Sequence, residues 1–154
     1  MEKVSVRPAI KCFVSVKTLL KDKEKKQTGL VNFAIPDLGV LFKTRQSGSH
    51  YELEYKSLLA LLRFIDLNQK AFRNQKLSVL CSSPLLVYQM NENSLCQKEV
   101  ERDRNLALAY KRKLKFSVSW VPEGENRALS GMMDLPPLKN SLDLKFDDLQ
   151  KKPS

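Results

Sequence analysis

Side chains that could carry out covalent chemistry are few and are not spaced for it. His50 is the only histidine, and it follows a Gly/Ser stretch, so we expect a solvent-exposed loop residue rather than a catalytic base. A Ser-His-Asp or Cys-His group would have to use this one histidine, and the sequence has no G-x-S-x-G elbow. The glycine-rich phosphate-binding motifs G-x-x-x-x-G-K-S/T and G-x-G-x-x-G are missing as well. Nucleophilic catalysis and P-loop chemistry are therefore poor interpretations.

The cysteines and the apolar runs bear on the compartment. Cys12, Cys81 and Cys96 are odd in number and lack C-x-x-C spacing, so we expect neither a disulfide framework nor a zinc cluster. A reducing intracellular compartment such as the cytoplasm fits this usage. No apolar run approaches the roughly 18–20 residues that span a bilayer, and the first residues lack the apolar stretch of a secretory signal. We expect no membrane association.

The charge distribution indicates the class of partner. The 154 residues include 27 Lys and Arg against 17 Asp and Glu, a formal net charge of +10. Residues 134–154 contain four Lys and four Asp, so the whole excess lies in the preceding 133 residues. Such an excess favours a polyanionic partner through long-range attraction and counterion release. We therefore expect nucleic acid as the partner, although a solvated lysine-rich surface would have the same composition.

Hydrophobic periodicity predicts strands first and then alternating helices and strands. Strands are expected at residues 10–20, 29–35, 40–45, 77–81 and 115–121. Helices are expected at residues 51–72, 84–90, 97–113 and 125–133. The order β-β-β-α-β-α-α-β-α predicts an α/β domain with a five-stranded mixed sheet, in which three antiparallel strands precede parallel crossovers and helices cover both faces.

Three short segments carry a recognisable pattern on this order of elements. Residues 54–62 (E-Y-K-S-L-L-A-L-L) open the first long helix with a glutamate, residues 80–87 (L-C-S-S-P-L-L-V) end the fourth strand, and residues 120–128 (W-V-P-E-G-E-N-R-A) follow the last strand. In this order they resemble the ribonuclease H-like superfamily over about residues 11–133. The predicted domain is 1–133, followed by a tail at 134–154.

The resemblance also implies where a metal site would lie. In the family, carboxylates from strand one, the first helix, strand four and the last helix hold two Mg²⁺ ions. The matching positions here are Ser15 or Lys17, Glu54, Ser82 and Ser130. One acid of four remains, with Glu52 as a register alternative to Glu54. We therefore expect a degenerate site, a pseudoenzyme with no metal, no cofactor and no catalytic residue.

Alternatives remain open at this point. An active nuclease acting on RNA–DNA hybrid with Mg²⁺ would need a shifted carboxylate set of Glu54, Asp134 and Glu52. If Lys17 occupies the strand-one position, it would form an ion pair with Glu54 in place of the metal. A protein-interaction domain that binds no nucleic acid is the third reading.

Basic residues mark the expected nucleic-acid contacts. In the first hairpin and after the long helix these are Lys21, Lys23, Lys25, Lys26, Lys111, Arg112, Lys113 and Lys115. Asn126 and Arg127 join them from the segment that matches the family, whereas Trp120 is expected in the strand core. In the tail, apolar side chains at residues 135–149 are spaced close to a helical stripe, so this segment would dock on the domain or on a protein partner.

Overall fold

A mixed five-stranded sheet forms the centre of the molecule. The computed structural model describes residues 9–21, 27–92 and 96–128. The strands are β1 (Ile10–Lys21), β2 (Gln27–Ile35), β3 (Val40–Gly48), β4 (Leu77–Cys81) and β5 (Phe116–Trp120). They lie in the order β3-β2-β1-β4-β5, antiparallel from β3 to β1 and parallel from β1 to β5. The predicted mixed sheet is confirmed.

Alternation along the strands gives the sheet two different faces. On β1, Cys12 and Val14 enter the main core, whereas Phe13 belongs to a second, smaller cluster with Ala34 and Ala128. The face of the main core is covered by the helices, and we call the opposite one the outer face. Successive side chains of a strand point to opposite faces, so each odd-numbered residue of β1 from Lys11 to Lys17 belongs to the outer face.

In the described residues, three helices follow the first three strands. They are α1 (His50–Leu67), α2 (Pro84–Asn91) and α3 (Glu101–Leu114). Helix α1 contacts the first three strands and α3, while α2 contacts β4, β5 and α3, so all three pack on one face. The predicted helix 125–133 is wrong over its described residues, because a 3-10 turn, Glu123–Glu125, ends where the helix was expected to begin and Asn126 is extended. Its remainder from residue 129 lies outside the described residues. The tail and the domain boundary at 133 also lie outside them.

Helix α1 is the element most enclosed by the rest of the structure. Leu58, Leu61, Leu62 and Ile65, the stripe expected from the sequence, are all buried. The predicted helix continued to residue 72, but α1 ends at Leu67 because Asn68 leaves helical geometry and its side-chain amide donates to the Phe64 carbonyl. A 3-10 turn, Gln69–Phe72, then buries the last residue of the stripe.

Two further boundaries differ by three residues or more from those predicted from the sequence. Helix α3 begins at Glu101 rather than at residue 97, because Lys98–Val100 forms a 3-10 turn before it. Strand β3 extends three residues further than predicted, since its polar end pairs with β2 through backbone hydrogen bonds that hydropathy does not report. In the part of the chain that the structure describes, no helix has the length and apolar character needed to cross a membrane.

A capping box fixes the start of α1. The Ser49 hydroxyl accepts a hydrogen bond from the Glu52 backbone N–H, and the Glu52 carboxylate accepts one from the Ser49 N–H. We expect Ser49→Ala to lower the free energy of unfolding by about 1 kcal/mol in urea denaturation, since a helix N–H loses its partner. Ser49→Asp is the matched variant, because Asp can also cap a helix, and its free energy of unfolding should stay near that of the wild type. Equal stability of the alanine variant and the wild type would contradict this account.

Candidate functional site

A cleft opens where β1 and β4 run side by side towards the starts of α1 and α2. The last paired residues are Val14 of β1 and Cys81 of β4. Beyond them, Ser15 and Ser82 line a cleft of about 190 Å³. Glu54, His50, Ser83 and Glu123 line it from the two helix starts and the segment after β5. The structure therefore brings together Ser15, Glu54 and Ser82, three of the four positions expected from the sequence.

Ser15, rather than Lys17, is the residue of β1 at the cleft. Ser15 is buried, and its hydroxyl accepts a hydrogen bond from the Asn32 side-chain amide at 3.3 Å. Lys17 is exposed, lies two residues further along the strand and does not line the cleft. The expected ion pair between Lys17 and Glu54 is wrong. Lys17 lies on β1 beyond the cleft that Glu54 lines.

In the cleft, the partners of Glu54 are His50 and Ser83 instead. His50 Nε2 lies 2.7 Å from Glu54 Oε1, one helical turn away. Burial raises the pKa of Glu54, and this effect outweighs a hydrogen bond with the Ser83 side chain and the attraction of His50, which both lower it. The carboxylate is therefore partly compensated by its own protein and is more easily protonated than an exposed glutamate.

His50 is the cleft residue that the sequence analysis did not predict. It was expected on a loop, but it is the first residue of α1, and half of its side chain remains exposed at the cleft. The signal was present in the sequence, since His50 and Glu54 are four residues apart and such pairs meet on one helix face. Glu52, the register alternative to Glu54, is occupied by the capping box and does not line the cleft.

The described residues do not fit a two-metal site. Two Mg²⁺ ions need several carboxylate oxygens to balance their charge, whereas Ser15 and Ser82 offer neutral hydroxyls. Within residues 9–21, 27–92 and 96–128, no three His, Cys, Asp or Glu side chains converge as metal ligands. The two remaining candidates, Ser130 and Asp134, lie outside the described residues.

Asn126 links separate segments of the fold through hydrogen bonds and does not belong to an exposed binding surface. Its side chain is fully buried, so its prediction as a nucleic-acid contact is wrong. Its amide donates to the Val14 carbonyl at 2.9 Å and to the Ser82 hydroxyl at 3.2 Å, and its oxygen accepts from the Ala128 N–H at 3.0 Å. Asn126 thus joins β1, the end of β4 and the segment after β5 beneath the cleft.

The cations at the end of α3 lie far from the cleft. They precede β5, at the amino ends of the parallel strands, whereas the cleft is at the carboxyl ends. Lys113 pairs with Asp66 at 2.8 Å, twelve residues and about 18 Å along α1 from Glu54. Lys111 donates to the Met90 carbonyl and to Asn91, so two of the expected phosphate contacts are engaged within the protein.

The other expected contacts have mixed outcomes. Arg112 and Lys115 are exposed, and Arg127 is half-buried. Of the hairpin lysines, Lys21 is described only as the last residue of β1, and the other three, Lys23, Lys25 and Lys26, lie outside the described residues. Trp120 was expected in the core but is 51% exposed, because it ends the edge strand β5 where no further strand or helix covers it in the described part of the chain.

Comparisons with known proteins identify the fold. No protein-family model matches the chain, and a search of curated proteins found no match. Among solved structures, LC11-RNase H1 isolated from compost has a TM-score of 0.67 at 13% identity, covering 77% of this chain and 87% of that one. A second structure of LC11-RNase H1, in complex with RNA/DNA hybrid, has a TM-score of 0.65 at 13% identity, covering 76% and 88%. RNase H1 from Halobacterium salinarum has a TM-score of 0.55 at 13% identity, covering 79% and 91%.

The buried hydrogen bonds of Asn126 lead to a prediction about stability. We expect Asn126→Ala to lower the free energy of unfolding by about 3 kcal/mol, because the Val14 carbonyl and the Ala128 N–H lose their partner in a buried position. Thermal or urea unfolding measures the difference. Asn105→Ala, at an exposed position of α3, is the control and should change stability by less than about 0.5 kcal/mol. A loss in Asn126→Ala no larger than in this control would contradict the structural role.

Glu54 leads to a prediction about pH. Because the folded state holds the Glu54 proton more tightly than the unfolded chain does, stability from this group is present below the ordinary glutamate pKa and is lost as pH rises through the raised pKa. Unfolding curves from acidic to neutral pH should therefore show that Glu54→Gln gains stability relative to the parent as pH rises. A His50→Gln background removes the interaction of Glu54 with the histidine, and Glu99→Gln is an exposed control. A constant difference between Glu54→Gln and its parent would contradict the raised pKa.

Proposed function

We propose that this chain, a domain with the ribonuclease H fold, is a non-catalytic module that binds nucleic acid. The observation that carries the proposal is the cleft itself. Ser15 and Ser82 stand at two positions where the family resemblance implies metal-binding acids, and Glu54 is the one carboxylate among the three described positions. Neutral hydroxyls cannot balance the four positive charges of two Mg²⁺ ions.

The state of Glu54 supports the same proposal. Its carboxylate already has His50 at 2.7 Å and a hydrogen bond with Ser83, and its raised pKa favours the neutral form. A protonated carboxyl group is a weak ligand for a hard cation. The alternative is an active Mg²⁺-dependent nuclease. It would need the Asp134 carboxylate as a metal ligand beside Glu54, because the Glu52 carboxylate is engaged in the capping box.

Nucleic acid is the proposed partner on grounds of charge and of fold. The net charge of +10 favours association with a polyanion. One protein of similar fold, LC11-RNase H1, has been solved in complex with RNA/DNA hybrid, so hybrid is the first partner to test. The preference among hybrid, DNA and RNA is part of the experiment.

We also propose a reducing intracellular compartment, such as the cytoplasm. All three cysteines are free thiols. Burial raises the pKa of Cys12 to about 12 and that of Cys81 to about 11, so neither sulfur is activated as a nucleophile. No cofactor is needed for the proposed function.

The deciding experiment measures binding and cleavage on the same labelled duplexes. We expect the wild-type protein to bind RNA/DNA hybrid or duplex DNA at low salt, and to leave the RNA strand intact with Mg²⁺ or Mn²⁺ present. Glu54→Gln should bind as the wild type does, and Mn²⁺ should give the two proteins the same melting temperature shift. Metal-dependent cleavage that disappears in Glu54→Gln would overturn the non-catalytic reading. Lack of binding to any nucleic acid at low salt would overturn the proposal and favour a protein-interaction domain.

A further inference from the structure

The outer face of the three antiparallel strands is basic and contains no acid. Strands β1, β2 and β3 together contain five Lys or Arg residues and no Asp or Glu. Alternation places Lys43 and Arg45 on the outer face of β3, because Val40 and Phe42, at even-numbered positions of the same strand, pack on the main core. The same alternation places Lys17 on the outer face of β1, since Cys12 and Val14 enter the main core.

The strand register arranges these three cations into a patch. Lys17 pairs with Leu30, which pairs with Arg45, so a single cross-strand row has a cation at each end. Two strand spacings put the Cα atoms of that row about 10 Å apart. Lys43 lies two residues from Arg45, about 7 Å along β3. We call Lys17, Lys43 and Arg45 the sheet patch.

Among the described residues, all three cations of the sheet patch are free of acidic partners, whereas two of the four cations at the end of α3 are engaged within the protein. Lys113 is neutralised by Asp66, and Lys111 is held by a carbonyl and by Asn91. In the described ranges, by contrast, Lys17, Lys43 and Arg45 are all exposed and none forms an ion pair with an acid. Cations without a protein partner retain their full attraction for an external anion and lose least on contacting it.

We propose that the sheet patch is the surface on which this domain holds the phosphate backbone of a nucleic-acid duplex; this inference rests on the proposed function and adds its location. A surface made of adjacent strands suits an extended polyanion better than a compact anion. The residues in the cross-strand rows of the patch are Ser15, Leu30 and Asn32, so no aromatic ring is offered for base stacking there. Recognition is therefore expected to be independent of base sequence.

The test compares two triple variants that lose the same charge. The patch variant changes Lys17, Lys43 and Arg45 to Gln, and the control variant changes Lys70, Arg73 and Lys98 to Gln, all at exposed positions. Binding to one duplex is measured as a function of salt between about 50 and 200 mM. The patch variant should bind at least about tenfold more weakly, and the slope of log K against log salt should flatten by about 2.7, which is three phosphates at about 0.9 each. The control variant should keep most of the wild-type affinity and slope.

The outcomes separate the location from the function. Equal weakening of the two triple variants, or a patch variant that binds as the wild type does, overturns the assignment of the surface while the proposed function stands. A wild-type protein that binds no duplex at low salt overturns both. Circular dichroism and a melting curve for each variant test whether weaker binding comes from loss of folding. The single variant Arg45→Gln, which disturbs the fold least, should flatten the slope of log K against log salt by about 0.9.

Discussion

Packing of α1 against the sheet is the interaction on which the rest of the structure depends. Leu58, Leu61 and Leu62 are fully enclosed in the middle of this helix, and α1 contacts the first three strands as well as α3. Each buried aliphatic side chain stabilises the fold by about 1.5–3 kcal/mol relative to an exposed one. The close approach also depends on Gly29, where a Cβ would lie 3.1 Å from the Leu53 side chain and 3.1 Å from the Lys17 carbonyl. The helix therefore sits in a position that fixes Glu54 at the cleft.

Hydrogen bonds between its own side chains hold the cleft together. The Ser15 hydroxyl accepts a hydrogen bond from Asn32, the Ser82 hydroxyl accepts one from Asn126, and Glu54 has His50 and Ser83 as partners. Such bonds offset part of the cost of burying polar groups. The compensation is incomplete, because the Asn32 side-chain oxygen has no partner among the described residues and burial still raises the pKa of Glu54.

Periodicity predicted the fold because the longer strands and α1 have regular hydrophobic patterns. The two-residue alternation of the strands and the three-to-four-residue spacing of α1 were readable without tertiary information. The burial and pairing of individual side chains were harder to predict from the sequence, because they depend on which elements lie next to each other in the fold. Trp120 is exposed because β5 is an edge strand, and Lys113 is paired because α1 and α3 end side by side, and neither fact is local to the sequence. The buried Asn126 was mistaken for a surface residue since its partners, Val14 and Ser82, are 112 and 44 residues away. His50 alone could have been assigned locally, from its spacing to Glu54.

Strand β3 forms one edge of the sheet, and this position gives its charges a second physical role. An edge strand presents unpaired backbone N–H and C=O groups, which can pair with the edge of another molecule and begin aggregation. Nine residues of β3 would be long enough for such pairing. If two copies met edge to edge, Lys43 and Arg45 of each would be brought near the same cations of the other, in contact with a low-dielectric surface. Like-charge repulsion therefore opposes this form of self-association, and screening by salt weakens that opposition.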